Sequence, residues 1–247
     1  MPQPFFYWCC SMDDVLISPR REKNEPMLPP TGLLLPNPSE QATIPGLVKE
    51  YGLKRQFFFN SQLFYNDQFF LAGPAVGAPM AAICLEKLIA LGARRIVVYG
   101  WCGALSPKLR IGELFLPEFG LSEEGTSSHY PTKHTTDPLL RHRLQALLEK
   151  AQYSPKTGGV WTTDALYRET RRKVHEYPEQ GVFAVDMEYT ALEAVARYRQ
   201  VLLGSVFLVS DELFGDTWEA GYRRKSFRSF SRQVLSLLVS SVHKGTL

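Results

Sequence analysis

Along most of this chain, short apolar runs alternate with segments of helical period. Gly32–Leu35, Gln68–Ala72, Arg95–Tyr99, Glu113–Leu116, Gly158–Thr162, Val182–Val185 and Val201–Val209 are mostly apolar and short, and read as strands. Pro79–Leu91, Asp137–Gln152 and Glu188–Tyr198 repeat their apolar positions at three- and four-residue intervals and read as helices. Pro79 suits a first helical turn, Gly92 a helix end and Asp137 an N-cap. A last helix is predicted from Thr217 to His243, with Val234, Leu235, Leu237, Leu238 and Val242 on its apolar side.

This alternation predicts an α/β fold, a single domain over residues 31–247 with a central mixed twisted sheet flanked by helices. Residues 1–30 show no period. They combine aromatics, the charged stretch Arg20–Lys23 and a proline cluster at Pro26, Pro29 and Pro30, and are expected to form an irregular extension.

Composition narrows the function classes. Of the 247 residues 45% are hydrophobic and 21% charged, enough apolar material for a sizeable core. The formal charge is 28 − 25 = +3 with both signs dispersed, so no basic tract is available for a nucleic-acid partner. No apolar run approaches the roughly 18 residues that would span a bilayer, and the first residues lack a basic leader, so a cytoplasmic protein without a membrane partner is expected. The four cysteines, Cys9, Cys10, Cys84 and Cys102, and the five histidines show no ligand spacing, so no metal site is expected.

Ligands of open α/β sheets bind beyond the carboxyl ends of strands, so polar residues there are candidates for chemistry. Four places qualify. Gly100-Trp101-Cys102-Gly103-Ala104 combines two glycines that let backbone approach a ligand. Trp161 to Arg172 gathers hydroxyls, carboxylates, Tyr167 and three arginines after a strand, and could equally be a helix start with a solvated face. Asp186-Met187-Glu188 brackets a thioether with carboxylates; Asp186 either caps the following helix or joins Glu188 in gripping vicinal hydroxyls. Ser210-Asp211 follows the most apolar strand, where burial would raise the carboxyl towards a usable general acid.

In this order, and with Gly77-Ala78-Pro79 ahead of Glu86, Leu91-Gly92-Ala93, Gly112-Glu113 and Gly125-Thr126-Ser127 before Tyr130, these segments resemble the nucleoside phosphorylase family of purine nucleoside phosphorylases, uridine phosphorylases and nucleosidases. The likeness runs from about Gly32 to the C-terminus.

The resemblance implies a phosphorylase-like glycosyltransferase, or a nucleosidase, cleaving the N-glycosidic bond of a purine-type ribonucleoside. Asp186, Met187 and Glu188 would hold the ribose, with Asp186 standing where Glu is more usual. Cys102, Gly103, Leu166, Tyr167 and Ser210 would line the base. Asp211 would be the acid, assisted by Arg224 thirteen positions later, and Arg168, Arg171 and Arg172 would be surface or gating charges. No cofactor is implied beyond phosphate as co-substrate.

The nucleophile side departs from the family pattern. Two phosphate-binding arginines are missing, and Trp101 stands beside Gly100 where a hydroxyl residue is usual, so a phosphate dianion would lose its charge-assisted partners. In the nucleosidase alternative, Glu40 would activate water. A third alternative is a nucleoside-binding protein that has lost catalysis. The family also implies a homo-oligomer, a dimer or trimer of dimers, for which Phe57, Phe58, Phe59, Phe64 and Tyr65 are the expected interface.

Overall fold

A computed structural model describes residues 15–247; Cys9, Cys10 and the start of the predicted extension lie outside the described residues. Residues 15–30 run irregularly but dock on the domain: Leu28 is buried and its N–H donates to Leu91 O, and Glu25 pairs with Lys87.

The protein is one α/β domain built on a ten-stranded mixed sheet. In chain order its strands are β1 (Thr31–Leu34), β2 (Lys54–Phe58), β3 (Ser61–Tyr65), β4 (Phe70–Gly73), β5 (Arg95–Ala104), β6 (Leu114–Glu123), β7 (Lys156–Thr163), β8 (Val182–Asp186), β9 (Leu202–Glu212) and β10 (Glu219–Ala220). The helices are α1 (Ile44–Tyr51), α2 (Ala78–Ala90), α3 (Leu139–Lys150), α4 (Arg171–Glu179), α5 (Tyr189–Arg199) and α6 (Lys225–His243).

Strand β5 organises the whole. It pairs in parallel with β1 and β9 and, at its carboxyl end, antiparallel with β8. Since β9 also pairs with β6, β6 with β7 and β7 with β8, these five strands close into a ring. Both faces of β5 are buried, which is why its sequence reads as a continuous apolar run. Val97 and Tyr99 pack towards α6, α1 and α3; Ile96 and Val98 pack towards α2 and α5.

The expected elements are present, with five corrections, the first being that β6 does not end at Leu116 but continues to Glu123 alongside β7. β5 does not end at Tyr99 but continues to Ala104, because β8 and β9 both supply backbone partners there. α6 begins at Lys225 and not near Thr217: Glu219 and Ala220 pair with β9 instead, and a Cβ on Gly221 would lie 2.2 Å from Ile111. The aromatic stretch forms the edge hairpin β2–β3, in which Phe58 and Phe64 are core residues and only Phe57 and Phe59 are largely exposed. α1 and α4 are additional helices, the second started by Thr170, whose hydroxyl accepts from Lys173 N.

Between α2 and α5, Arg199 grips the buried Glu86 through two bonds of 2.8 and 2.9 Å. Among the described residues no helix is long and apolar enough to cross a membrane.

Candidate active site

The carboxyl ends of β1, β5, β7, β8 and β9 open onto one cavity of about 840 Å³. This lies within the range of small-molecule sites. Its lining brings together Trp101, Cys102, Gly103, Leu166, Tyr167, Asp186, Met187, Glu188, Ser210 and Asp211, residues more than a hundred positions apart in the chain.

At one end sits the Asp186–Glu188 pair. Asp186 Oδ1 accepts from Thr162 Oγ1 at 2.6 Å, and Oδ2 accepts from the backbone N–H groups of Glu188 and Tyr189 at 3.1 and 2.7 Å. Its carboxylate thus caps α5, and both oxygens are already partnered. Behind it Thr162 Oγ1 accepts from Thr190 N, and Thr190 Oγ1 donates to Glu124. Glu124 is buried and accepts from Ser122 and two backbone N–H groups, a supporting residue that no spacing signal singled out.

Glu188 reaches across to α2, where its Oε1 accepts from Gly77 N at 2.7 Å. That N–H belongs to the residue before the helix, whose partial positive end suits a carboxylate. Gly77 has φ +83°, a conformation that costs glycine little. Burial raises the pKa of both members of the pair, and the charge of Asp186 raises that of Glu188 further. With three donors on Asp186, the shared negative charge rests there and Glu188 is the member that keeps a proton.

At the other end, Ser210 Oγ donates to Asp211 Oδ1 at 2.5 Å, and Trp218 Nε1 donates to Asp211 Oδ2 at 2.8 Å. Gly103 makes room for this arrangement: a Cβ there would lie 2.6 Å from Leu213 and 3.1 Å from Asp211 Oδ2. Arg224 makes no hydrogen bond or ion pair with Asp211 among the described residues; it is half exposed and pairs with Glu219. The arginines that line the cavity are Arg171, which donates to Asp216 O at 2.5 Å across the mouth, and Arg223, which lies over the Tyr222 ring. Arg172 is a surface charge paired with Glu176.

Glu169 also lines the cavity, although sequence reasoning gave it no role. It is half-buried. Burial first, and the Asp211 charge second, raise its carboxyl to about 7. The only signal was its place two residues beyond Tyr167.

Neither Glu40 nor Gly100 reaches the cavity wall. Glu40 is buried behind Trp101: its Oε1 accepts from Trp101 Nε1 at 2.9 Å and from Ser231 Oγ at 2.6 Å, and Ser231 Oγ in turn meets Tyr99 OH at 2.8 Å. Its expected role in activating water therefore gives way to that of a buried anchor. Burial raises its carboxyl above the ordinary range. At Gly100 a Cβ would make only ordinary van der Waals contact with Phe207, at 3.4 Å. Trp101, fixed by Glu40, stands edge-on to Phe227 and stacks on Tyr222. Among the described residues no group of three His, Cys, Asp or Glu side chains is arranged to hold a metal ion.

Residues 31–241 match the family model described as the Phosphorylase superfamily. Among curated relatives, the chain is 27% identical over 148 residues to a guanosine phosphorylase of Halorubrum lacusprofundi, covering 58% of this chain and 61% of that protein. It is 28% identical over 174 residues to a DeoD-type purine nucleoside phosphorylase of Bacillus cytotoxicus, covering 68% and 74% respectively. The chain thus spans only about three-fifths of the first relative's length.

Two solved structures share the fold. The purine nucleoside phosphorylase of Toxoplasma gondii in complex with immucillin-H has a TM-score of 0.76 at 16% identity, covering 89% of this chain and 92% of that one. The AMP nucleosidase of Bacteroides thetaiotaomicron has a TM-score of 0.67 at 17% identity, covering 86% and 89%.

Proposed function

The chain belongs to the phosphorylase superfamily, and from that premise we propose that it cleaves the N-glycosidic bond of a purine-type ribonucleoside. One observation carries the reading: a carboxyl pair beside Met187, Asp186 buried and Glu188 half-buried, and a second carboxyl cluster around Asp211 line the same cavity.

Each end suits one half of the reaction. As the C1′–N bond lengthens, the sugar gains oxocarbenium character and the base gains negative charge. Glu188, fixed by Gly77 N and by the capped turn at Asp186, leaves its second oxygen for the ribose hydroxyls, with Met187 against the sugar. Holding the sugar in one orientation lowers the barrier as charge develops. The leaving base needs a proton, and the carboxyl groups at the other end are its source. Leu166 and Tyr167 offer the base an apolar edge and an aromatic face.

The charge of the cavity favours water over phosphate as nucleophile. The carboxylates of Asp186, Asp211 and Asp216 outnumber the guanidinium groups of Arg171 and Arg223 along its wall, while Glu169 and Glu188, both raised by burial, add little charge. A phosphate dianion entering that field meets repulsion, whereas water does not. Trp101, held by Glu40, presents a ring where a hydroxyl donor would serve an anion.

The test is product analysis with adenosine, inosine, guanosine and uridine, with and without phosphate. Free purine base and ribose from a purine nucleoside, at a rate indifferent to phosphate, are expected. Ribose 1-phosphate formed only with phosphate would overturn the hydrolytic reading and leave the cleavage reading standing. A protein that binds purine nucleosides and cleaves none would be a binding protein.

A further inference from the structure

The base end of the cavity is shaped by the short hairpin that leaves β9. β10 pairs antiparallel with β9, with Ala220 opposite Asp211 and Glu219 opposite Glu212. Side chains alternate between faces along such a pair, so Trp218, two positions before Ala220, falls on the face of Asp211 as its diagonal neighbour. Its Nε1–H donates to Asp211 Oδ2 at 2.8 Å, and its ring leans on Tyr222 with centroids 6.3 Å apart. Glu219 falls on the opposite face and takes Arg224 with it, their ion pair leaving Arg224 without a bond to Asp211 among the described residues. Strand alternation thus directs the arginine expected to assist Asp211 away from it, and an indole stands in contact instead.

The bonds around Asp211 distinguish its two oxygens. An indole N–H only donates, so Oδ2 is an acceptor and a proton on this carboxyl sits on Oδ1. Oδ1 faces Ser210 Oγ at 2.5 Å, and Ser210 Oγ also lies 3.2 Å from Cys102 O. With one hydroxyl proton and two acceptors in reach, Ser210 can donate to an ionised Asp211, or donate to Cys102 O while accepting from Asp211 Oδ1–H. Both protonation states are served without moving a heavy atom. We propose that Trp218 is a positioning residue for Asp211: it holds the carboxyl with its proton on Oδ1 and stabilises the carboxylate left when that proton passes to the departing base. This rests on the cleavage reading above, with Asp211 as its acid.

In that step the C1′–N bond breaks with its electron pair staying on the base, and the Oδ1–H proton passes to an acceptor atom of the base. Water captures the oxocarbenium-like sugar, its oxygen bonding to C1′. The proton that water releases restores Asp211, so nucleoside and water give ribose and neutral base. As Asp211 becomes anionic, the Trp218 bond turns charge-assisted, roughly twice as strong as one to a neutral group. A bond that tightens on the way to the transition state lowers the barrier without tightening substrate binding.

The experiment compares the intact protein with Trp218→Phe, which keeps an aromatic ring and loses the N–H, on two substrates. One is an ordinary purine nucleoside; the other is a purine nucleoside methylated on its imidazole ring, whose cationic base leaves without protonation. Trp218→Phe should lower kcat on the ordinary nucleoside by ~10–10²-fold, as for a lost hydrogen bond to a charged group, and leave its KM and the methylated substrate within about threefold. Equal loss on both substrates, a rise in KM alone, or loss on neither would overturn the proposal, as would selective loss in Arg224→Ala alone. Should Trp218→Phe fail to fold, a tryptophan analogue at the same position, with sulfur in place of the indole N–H, gives the same comparison. If the intact protein cleaves neither substrate, the cleavage reading falls, and calorimetry with free purine base, the species that carries the transferred proton, decides the role of Trp218. Binding weakened about tenfold by Trp218→Phe would keep Trp218 as the residue that holds Asp211, and unchanged binding would remove it.

Discussion

The two ends of the cavity are built differently. At the sugar end every polar atom of Asp186 is bonded, Thr162, Thr190 and Glu124 stand behind it in a buried chain, and Glu188 is tied to the start of α2. At the base end Leu166 is 50% exposed, Tyr167 95% and Trp218 57%. The sugar end is an extension of the core, whereas the base end is assembled from two surface segments joined by Arg171 and Asp216. Under the proposed cleavage, such a division would fix the position of the scissile bond within a rigid frame and leave the choice of base to residues that can change without disturbing packing.

The comparison can be broken first at its rigid end. Glu188→Ala should lower turnover of a purine nucleoside by ~10²–10³-fold without unfolding the protein, because a misplaced sugar loses the oriented geometry the reaction needs. Steady-state kinetics and circular dichroism together check this, and a variant with near-normal turnover would take Glu188 out of the site. Asp211→Asn comes next. As the candidate acid it should lose about 10²-fold, the low end of what a positioned acid contributes.

Glu40→Ala probes a third region and should act on stability. It leaves Trp101 Nε1 and Ser231 Oγ without their shared acceptor, which should cost about 2–3 kcal/mol in urea unfolding. Turnover should change little. A large fall in turnover at unchanged stability would restore Glu40 as an activator of water.

Tyr167→Ala tests the adaptable end. With the ring so exposed, KM should rise about fivefold, near the lower bound of roughly 1 kcal/mol for an aromatic stacked on a base, with kcat preserved. The smallest effect concerns pH. The Glu169 carboxyl is raised from 4.5 to about 7, so the folded state binds its proton more tightly than the unfolded chain does. Its stabilising contribution is complete below 4.5 and is lost as pH rises through about 7. The Tm of Glu169→Gln should therefore fall less than that of the unaltered protein between about pH 5 and pH 8.

Much of this molecule was legible in its sequence where one physical rule governs. The doubly buried strands β5 and β9 had to be apolar throughout, and α6 had to repeat its apolar residues every three or four positions, so both stand out as patterns. The ordered set from Gly100 to Asp211 likewise carried the resemblance to the superfamily whose model the chain matches. The eight residues from Thr217 to Arg224 misled because nothing local separates an exposed helix turn from a two-residue strand. The decision belongs to β9, which offers Ser210 O to the N–H groups of Gly221 and Tyr222.

The sequence by itself determined the alternation of elements and the residues placed beyond the strand ends, which follow from periodicity and local chemistry, and its ordered motifs carried the resemblance to the family. Only the tertiary structure decided what each carboxylate does. Asp186 caps a helix, Glu40 anchors a tryptophan, Asp211 is engaged on both oxygens and Glu169 has no side-chain partner among the described residues, although all four are the same functional group. Protonation and role depend on burial, on distant donors such as Gly77 N and Trp218 Nε1, and on neighbouring charge. Those quantities arise from contacts between residues far apart in the chain, which no local pattern encodes.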